Sequence, residues 1–250
     1  MKIKNIGLFV FAICLLNACS WFGEKEEYYE QEKVELDRPP EDRAQTLTDL
    51  AIAYYQLGKY TYAEEYLEKS LLLDDNNAIT YQMFALINER RKKLDQAQIY
   101  FDKALVIAPE NFDIVTSYAV FLYKHERQDE AFIEFNKVAD SPFYKNKWVA
   151  YTYLGYYELK NKQKRQAEKR FYYALQLNEY YAPALLAMSK IRYDKGEMMS
   201  ARAYIERYFG QTGKTLTGLQ LAIKIESALQ SYDMVEAYQL ELKHKFPFAE

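Results

Sequence analysis

Ala63, Ala97, Ala131, Ala167 and Ala201 recur at intervals of 34, 34, 36 and 34 residues, and Val235 follows 34 later. Few features constrain a fold more. A chain that repeats at one fixed interval builds the same small supersecondary unit many times. No such unit can bury its apolar face alone, so stability comes from stacking neighbours. Large apolar residues around the alanines follow the i, i+3, i+4, i+7 spacing of one helix face. Each period is therefore a helix–turn–helix unit. The predicted fold is all-α, a right-handed superhelix of about six such repeats covering residues 44–249.

A period of 34 residues is that of the tetratricopeptide repeat (TPR). The predicted repeats are 44–77, 78–111, 112–145, 148–181, 182–215 and 216–249. Asn146 and Lys147 make up the one 36-residue step; they follow the turn signal Ser141-Pro142, which should lengthen that loop. The two helices of a repeat must approach closely, so small residues are expected at the eighth and twentieth places. Large apolar residues are expected at the fourth, seventh, eleventh and twenty-fourth. The first repeat fits with Leu47, Leu50, Ala51, Tyr54, Gly58, Ala63 and Leu67, whereas the sixth keeps only Leu219, Ala222, Val235 and Pro247. Tyr54, Tyr118, Phe101, Phe135 and Phe171 are expected in the core.

The ninth, twelfth and thirteenth places of each first helix face the inner groove of a TPR array. They read Ile52, Tyr55 and Gln56; Leu86, Glu89 and Arg90; Val120, Tyr123 and Lys124; Tyr156, Leu159 and Lys160; Lys190, Tyr193 and Asp194. The candidate partner groove is thus Ile52, Tyr55, Leu86, Glu89, Val120, Tyr123, Tyr156, Leu159 and Tyr193. An apolar stripe on a groove suits a protein ligand with apolar anchors. The alternative is a superhelix closed tightly enough to bury the stripe against itself.

The chemistry-bearing residues are sparse. The two histidines, His125 and His244, lie far apart and are expected to be solvated. No glycine-rich phosphate loop, metal-ligand spacing or nucleophile elbow is present in the sequence. Acidic pairs such as Glu64-Glu65 and Asp74-Asp75 are expected on exposed helix faces and in loops. An enzyme is not expected, nor a cofactor, a metal or a small-molecule substrate. The net charge is −3, from 33 basic and 36 acidic residues. Without Lys2 and Lys4 it is 31 − 36 = −5, which argues against a nucleic-acid partner.

Those two lysines open a different kind of segment. They precede eleven apolar residues, Ile6 to Leu16, too few for a membrane span but suited to a signal peptide. Leu16-Asn17-Ala18-Cys19 then resembles the lipobox of bacterial lipoproteins. On that resemblance, residues 1–18 are removed and Cys19 becomes the lipid-bearing first residue. Several acyl chains anchor durably where one holds only marginally. Ser20 is not the aspartate associated with inner-membrane retention, so the expected location is the outer membrane, facing the periplasm. Residues 19–43 form a lipidated acidic linker, whose Pro39-Pro40 should disfavour helix just before the repeats.

The later repeats carry more than the TPR pattern. SYAVFLYKHERQDEAF (117–132), SPFYKN (141–146), LGYYELKNKQKRQAEKRFYYALQLN (154–178), APALLAMSKIRYDKGEMMSARAYIERY (182–208), LQLAIKIE (219–226) and YQLELKHKFP (238–247) resemble the PilF/PilW family of type IV pilus biogenesis and stability lipoproteins, the pilotins. The sixth repeat, weak as a generic TPR, is where this resemblance is most specific. It implies binding to the secretin subunit, the channel component through which the pilus leaves the cell. It also implies help with the secretin's outer-membrane localisation and multimerisation. The family motifs do not identify a contact site. A TPR lipoprotein serving another envelope machine, in outer-membrane protein insertion or cell-wall synthesis, is the alternative.

Overall fold

The computed structural model describes residues 38–248. Among them are twelve helices and no strand, joined two by two into helix–turn–helix pairs of the TPR class. They are α1 (Pro40–Gln56) with α2 (Tyr60–Leu73), α3 (Ala78–Arg90) with α4 (Leu94–Ile107), α5 (Phe112–Lys124) with α6 (Gln128–Asp140), α7 (Trp148–Lys160) with α8 (Lys164–Leu177), α9 (Ala182–Asp194) with α10 (Met198–Thr212), and α11 (Leu216–Ala228) with α12 (Tyr232–Lys245). The chain divides between Ile107 and Ala108 into two compact units, with α1–α4 in the first and α5–α12 in the second. No helix among the described residues is long and apolar enough to cross a membrane. The signal segment, Cys19 and most of the linker lie outside the described residues.

Each pair turns on one device. The first helix closes with a backbone bond from the residue five places on, as in Lys59 N–H to the Tyr54 carbonyl at 2.9 Å and Ser231 N–H to the Glu226 carbonyl at 3.0 Å. The residue before that donor takes a positive φ in all six turns: Gly58, Lys92, Glu126, Lys162, Gly196 and Gln230. Only two of the six are glycine. At the other four the fold tolerates a side chain in a conformation that costs about 1–2 kcal/mol.

The starts of the helices are also legible. Asn77 and Asn111 accept from backbone N–H groups in the first turns of α3 and α5, and Thr215 does the same for α11. Pro40, expected to hold helix off, is instead the first residue of α1, where a missing N–H is no loss. The helix therefore begins four residues ahead of position 44. Between α6 and α7 the connection runs over 141–147, longer than the four-residue connections at 74–77, 108–111 and 178–181.

The small residues sit where two helices cross. Ala63, Ala97, Ala131, Ala167 and Ala201 are wholly buried, with Ala51, Ala85, Ala119 and Ala222 opposite. In the fourth repeat the partner is Gly155, where an added Cβ would stand 2.8 Å from the Phe171 ring. Phe101, Phe135 and Phe171 fill the crossings as expected. Tyr54 and Tyr118 do not join them and are only half-buried. Tyr54 instead stacks on Tyr62 and Tyr66, with ring centroids at 5.5 and 5.3 Å. A tyrosine at the edge of a core keeps its hydroxyl solvated while its ring packs. Leu50 is likewise 38% exposed. Tyr238 is the one buried residue of α12, so this helix contributes least to the core.

The eleventh place departs most from expectation. In the last three repeats it holds Glu158, Arg192 and Glu226, where large apolar side chains are expected. Glu226 is 1% exposed. It accepts from Nε of Arg202 on α10 at 2.8 Å and from the same guanidinium's Nη2, which also donates to Ser231 at 2.8 Å. Arg192 on α9 pairs with Glu168 on α8 at 3.0 Å. Glu158, 5% exposed, accepts from Arg170 at 3.0 Å, while its Oε2 is buried without a hydrogen-bond partner. Arg202 and Glu168 each follow a repeat alanine, Ala201 and Ala167. At these two junctions the residue after the twentieth place thus meets the eleventh place of the next repeat with the opposite charge, whereas Glu158 pairs within its own repeat. Glu64, which follows Ala63, also reaches into the next repeat, but to its fourteenth place. Expected on an exposed face, it is half-buried and pairs with Arg91 at 2.7 Å.

Candidate partner-binding surfaces

The candidate groove residues fall on both units. In the first unit, Ile52 and Leu86 are half-buried against the cluster formed by Ala51, Ala63, Leu67, Met83, Phe84 and Ile87. Tyr55 leans on Tyr60, with centroids 5.4 Å apart, and its hydroxyl accepts from Nε of Arg90 at 3.2 Å. That bond pushes the Arg90 guanidinium above its usual range. Glu89 is half-buried beside them. The first unit therefore presents an apolar surface with one tyrosine–arginine pair.

In the second unit, Val120 is half-buried and Tyr123 meets Tyr153 edge-on at 4.9 Å. Burial pushes the Tyr123 phenol above its usual range. Tyr156, Leu159 and Tyr193 come together on a cavity of about 740 Å³ built by α7, α8, α9 and α11. Tyr156 presents its ring there, because its hydroxyl donates inward to the Pro183 carbonyl at 3.0 Å and its ring meets Phe171 edge-on at 5.2 Å. Burial holds its phenol well above the ordinary tyrosine range. Leu186, Ile191 and Leu221 complete an apolar floor.

Charges ring the mouth. Lys190 pairs with Asp194 at 3.2 Å, and Lys195 with Glu168 at 2.6 Å. Lys164, Arg165 and Lys224 line the same cavity. Several of these residues were not among the candidates. Leu186 stands four residues before Lys190 on the same face of α9, one helical turn upstream of the ninth place. Lys224 is the ninth place of the sixth repeat, so extending the series by one repeat reaches it.

Other residues behave more simply. His125 is half-buried, with its ring 4.9 Å from Phe121, whereas His244 is exposed. Among the described residues no three His, Cys, Asp or Glu side chains are grouped to hold a metal. The lengthened loop carries Phe143, which is 90% exposed, beside a second cavity lined by Trp148, Tyr151 and Tyr173.

Comparison with known proteins agrees with this architecture. Residues 44–77 match the family model "Tetratricopeptide repeat". No curated protein matches the chain in sequence. Among solved structures, PilF of Pseudomonas aeruginosa superposes with a TM-score of 0.79 at 24% identity, over 85% of this chain and 96% of that one. PilW, described as a widely conserved type IV pilus biogenesis factor, superposes at 0.70 with 26% identity, over 83% of this chain and 95% of its own. YrrB, a TPR protein with an unusual peptide-binding site, reaches 0.50 at 17% identity, over 70% of this chain and 89% of its own. The chain thus has a tetratricopeptide-repeat fold, with a structure similar to those of PilF and PilW.

Proposed function

We propose that this protein is a pilotin: an outer-membrane lipoprotein that binds the secretin subunit of the type IV pilus and promotes its localisation and multimerisation. The observation that carries this reading is the likeness to PilW, a type IV pilus biogenesis factor, over 83% of this chain at 26% identity. The family resemblance of the sixth repeat and the lipobox ending at Cys19 support it. In this mechanism the acylated Cys19 holds the complex at the outer membrane and the TPR surfaces hold an unassembled secretin subunit. Tethering raises the local concentration of subunits by mass action, so assembly does not need tight binding. The protein acts by binding and placing its partner, with no catalytic step and no cofactor.

The test is the heat-resistant secretin multimer in outer membranes from cells with the protein, without it, and with Cys19→Ala. The expected result is loss of multimer without the protein. With Cys19→Ala the repeats should remain folded but leave the membrane fraction. Undiminished multimer in cells lacking the protein would overturn the pilotin reading and favour another envelope machine.

A further inference from the structure

The cavity in the second unit has a chemistry more specific than a general apolar groove. Its floor is made of Tyr156, Leu159, Leu186, Ile191, Tyr193 and Leu221. The Tyr156 hydroxyl is turned away from this floor, bonded to the Pro183 carbonyl. At the mouth, two of the five cations are neutralised within the protein, Lys190 by Asp194 and Lys195 by Glu168. Lys164, Arg165 and Lys224 have no carboxylate partner among the described residues, although the chain carries more acidic than basic residues in total. Three such cations around one apolar hollow are a local departure from the protein's own balance.

We infer that this cavity binds an acidic amphipathic peptide segment of the partner, with apolar side chains seated on the floor and carboxylates set against Lys164, Arg165 and Lys224. The three cations stand on two helices, α8 and α11. Several carboxylates spaced along one segment can meet them together, whereas a single-headed anionic amphiphile offers one charge. The inner contacts give affinity through apolar burial. The rim gives selection and speed of encounter, because it favours acidic flanks and repels basic ones. The inference rests on the pilotin reading only in taking the secretin as the source of the segment.

The test uses the full chain in lipid nanodiscs and two labelled synthetic peptides read by fluorescence anisotropy. In one, leucine and phenylalanine anchors alternate with glutamates; in the other, every glutamate is replaced by lysine. The glutamate peptide should bind about tenfold more tightly, the sum of three modest surface charge contacts. The preference should shrink as salt is raised. Lys164→Glu, Arg165→Glu and Lys224→Glu together should reverse it, and because all three side chains are exposed the variant should keep its helix content by circular dichroism. Leu186→Asp should weaken both peptides.

Equal binding of the two peptides, or a preference untouched by the triple reversal, would overturn the inference. So would displacement of the glutamate peptide by oleate at concentrations where the peptide's own unlabelled form fails to compete, since the site would then be one for an anionic amphiphile. The secretin multimer separates the two proposals. A triple-reversal variant that loses peptide preference yet builds full multimer leaves the site standing with a different partner. Loss of multimer in cells without the protein, together with no peptide preference, leaves the pilotin reading standing without this site.

Discussion

Replacing Arg202 by methionine tests whether the charged eleventh place joins one repeat to the next. The perturbation removes the guanidinium of α10 but keeps its aliphatic bulk. It leaves Glu226 on α11, 1% exposed, without the two nitrogens that face it, and Ser231 without its donor. Stranding a buried carboxylate costs about 3–5 kcal/mol. Arg202 itself is a quarter exposed, so water can enter from its side and the lower end of that range is expected, about 3 kcal/mol. Glu226→Gln keeps an acceptor for the guanidinium and loses only charge assistance, so about 1 kcal/mol is expected. Replacing both partners, Arg202→Met with Glu226→Leu, removes the desolvated charges together and should restore stability to near wild type. Urea unfolding gives the free energies, and amide exchange in α11 and α12 localises the effect to the last repeats. A loss below about 1 kcal/mol in Arg202→Met, or a double variant no better than the single one, would refute the assignment of a buried inter-repeat pair.

Three further outcomes follow from the same packing. Ala131→Leu should overpack the α5–α6 crossing, where Ala131 has no exposed surface, and lower stability by about 1–3 kcal/mol; an unchanged thermal midpoint would show the repeat register to be wrong. Ile52→Asp with Leu86→Asp should abolish capture of secretin by the first unit while far-ultraviolet circular dichroism stays helical, and retained capture would move the contact elsewhere. Alkali should weaken the second unit. Burial pushes Tyr181 up to about 12, and burial with the hydrogen bond to Asp113 pushes Tyr144 up to about 12, so the unfolded chain loses these protons first. Stability from both is then complete below the ordinary tyrosine pKa of about 10 and is lost as pH rises from there toward 12. A Tyr144→Phe, Tyr181→Phe variant that unfolds at the same alkaline midpoint as the wild type would show that these two phenols do not carry the effect.

The fold was legible because its governing constraint is steric and periodic. A helix crossing admits alanine and little else, and it returns every 34 residues through the first three repeats, so Ala63, Ala97 and Ala131 mark the register without help from any partner. Phe101, Phe135 and Phe171 follow from the same crossing. The tyrosines were less legible, since a ring and a hydroxyl ask for different surroundings and only the packed neighbours decide between them; Tyr54 went to a stack of rings. The turn residues show the same limit. Gly58 announces a positive φ, but Lys92, Glu126, Lys162 and Gln230 adopt it silently because the surrounding bonds impose it.

Charge at the eleventh place is the deeper case. Read along one helix, Glu226 looks like a solvated residue or a fault in the repeat, and Arg202 like an ordinary surface cation after Ala201. Their meaning lies in a pairing 24 residues apart, between the twentieth-place neighbour of one repeat and the eleventh place of the next. The same offset joins Glu168 to Arg192 with the signs exchanged. A periodic apolar pattern cannot specify which repeat follows which, because every crossing accepts the same alanine. Alternating charge can: exchanging the fifth and sixth repeats would set Glu168 against Glu226, with like charges at close range in a buried site. The eleventh place thus gives up apolar burial and gains an order of repeats. The same logic separates the cavity from the core, for Lys164, Arg165 and Lys224 are cations that no repeat neighbour answers. Where the array neutralises its own charges it specifies itself, and where it leaves three cations around an apolar floor it specifies something from outside.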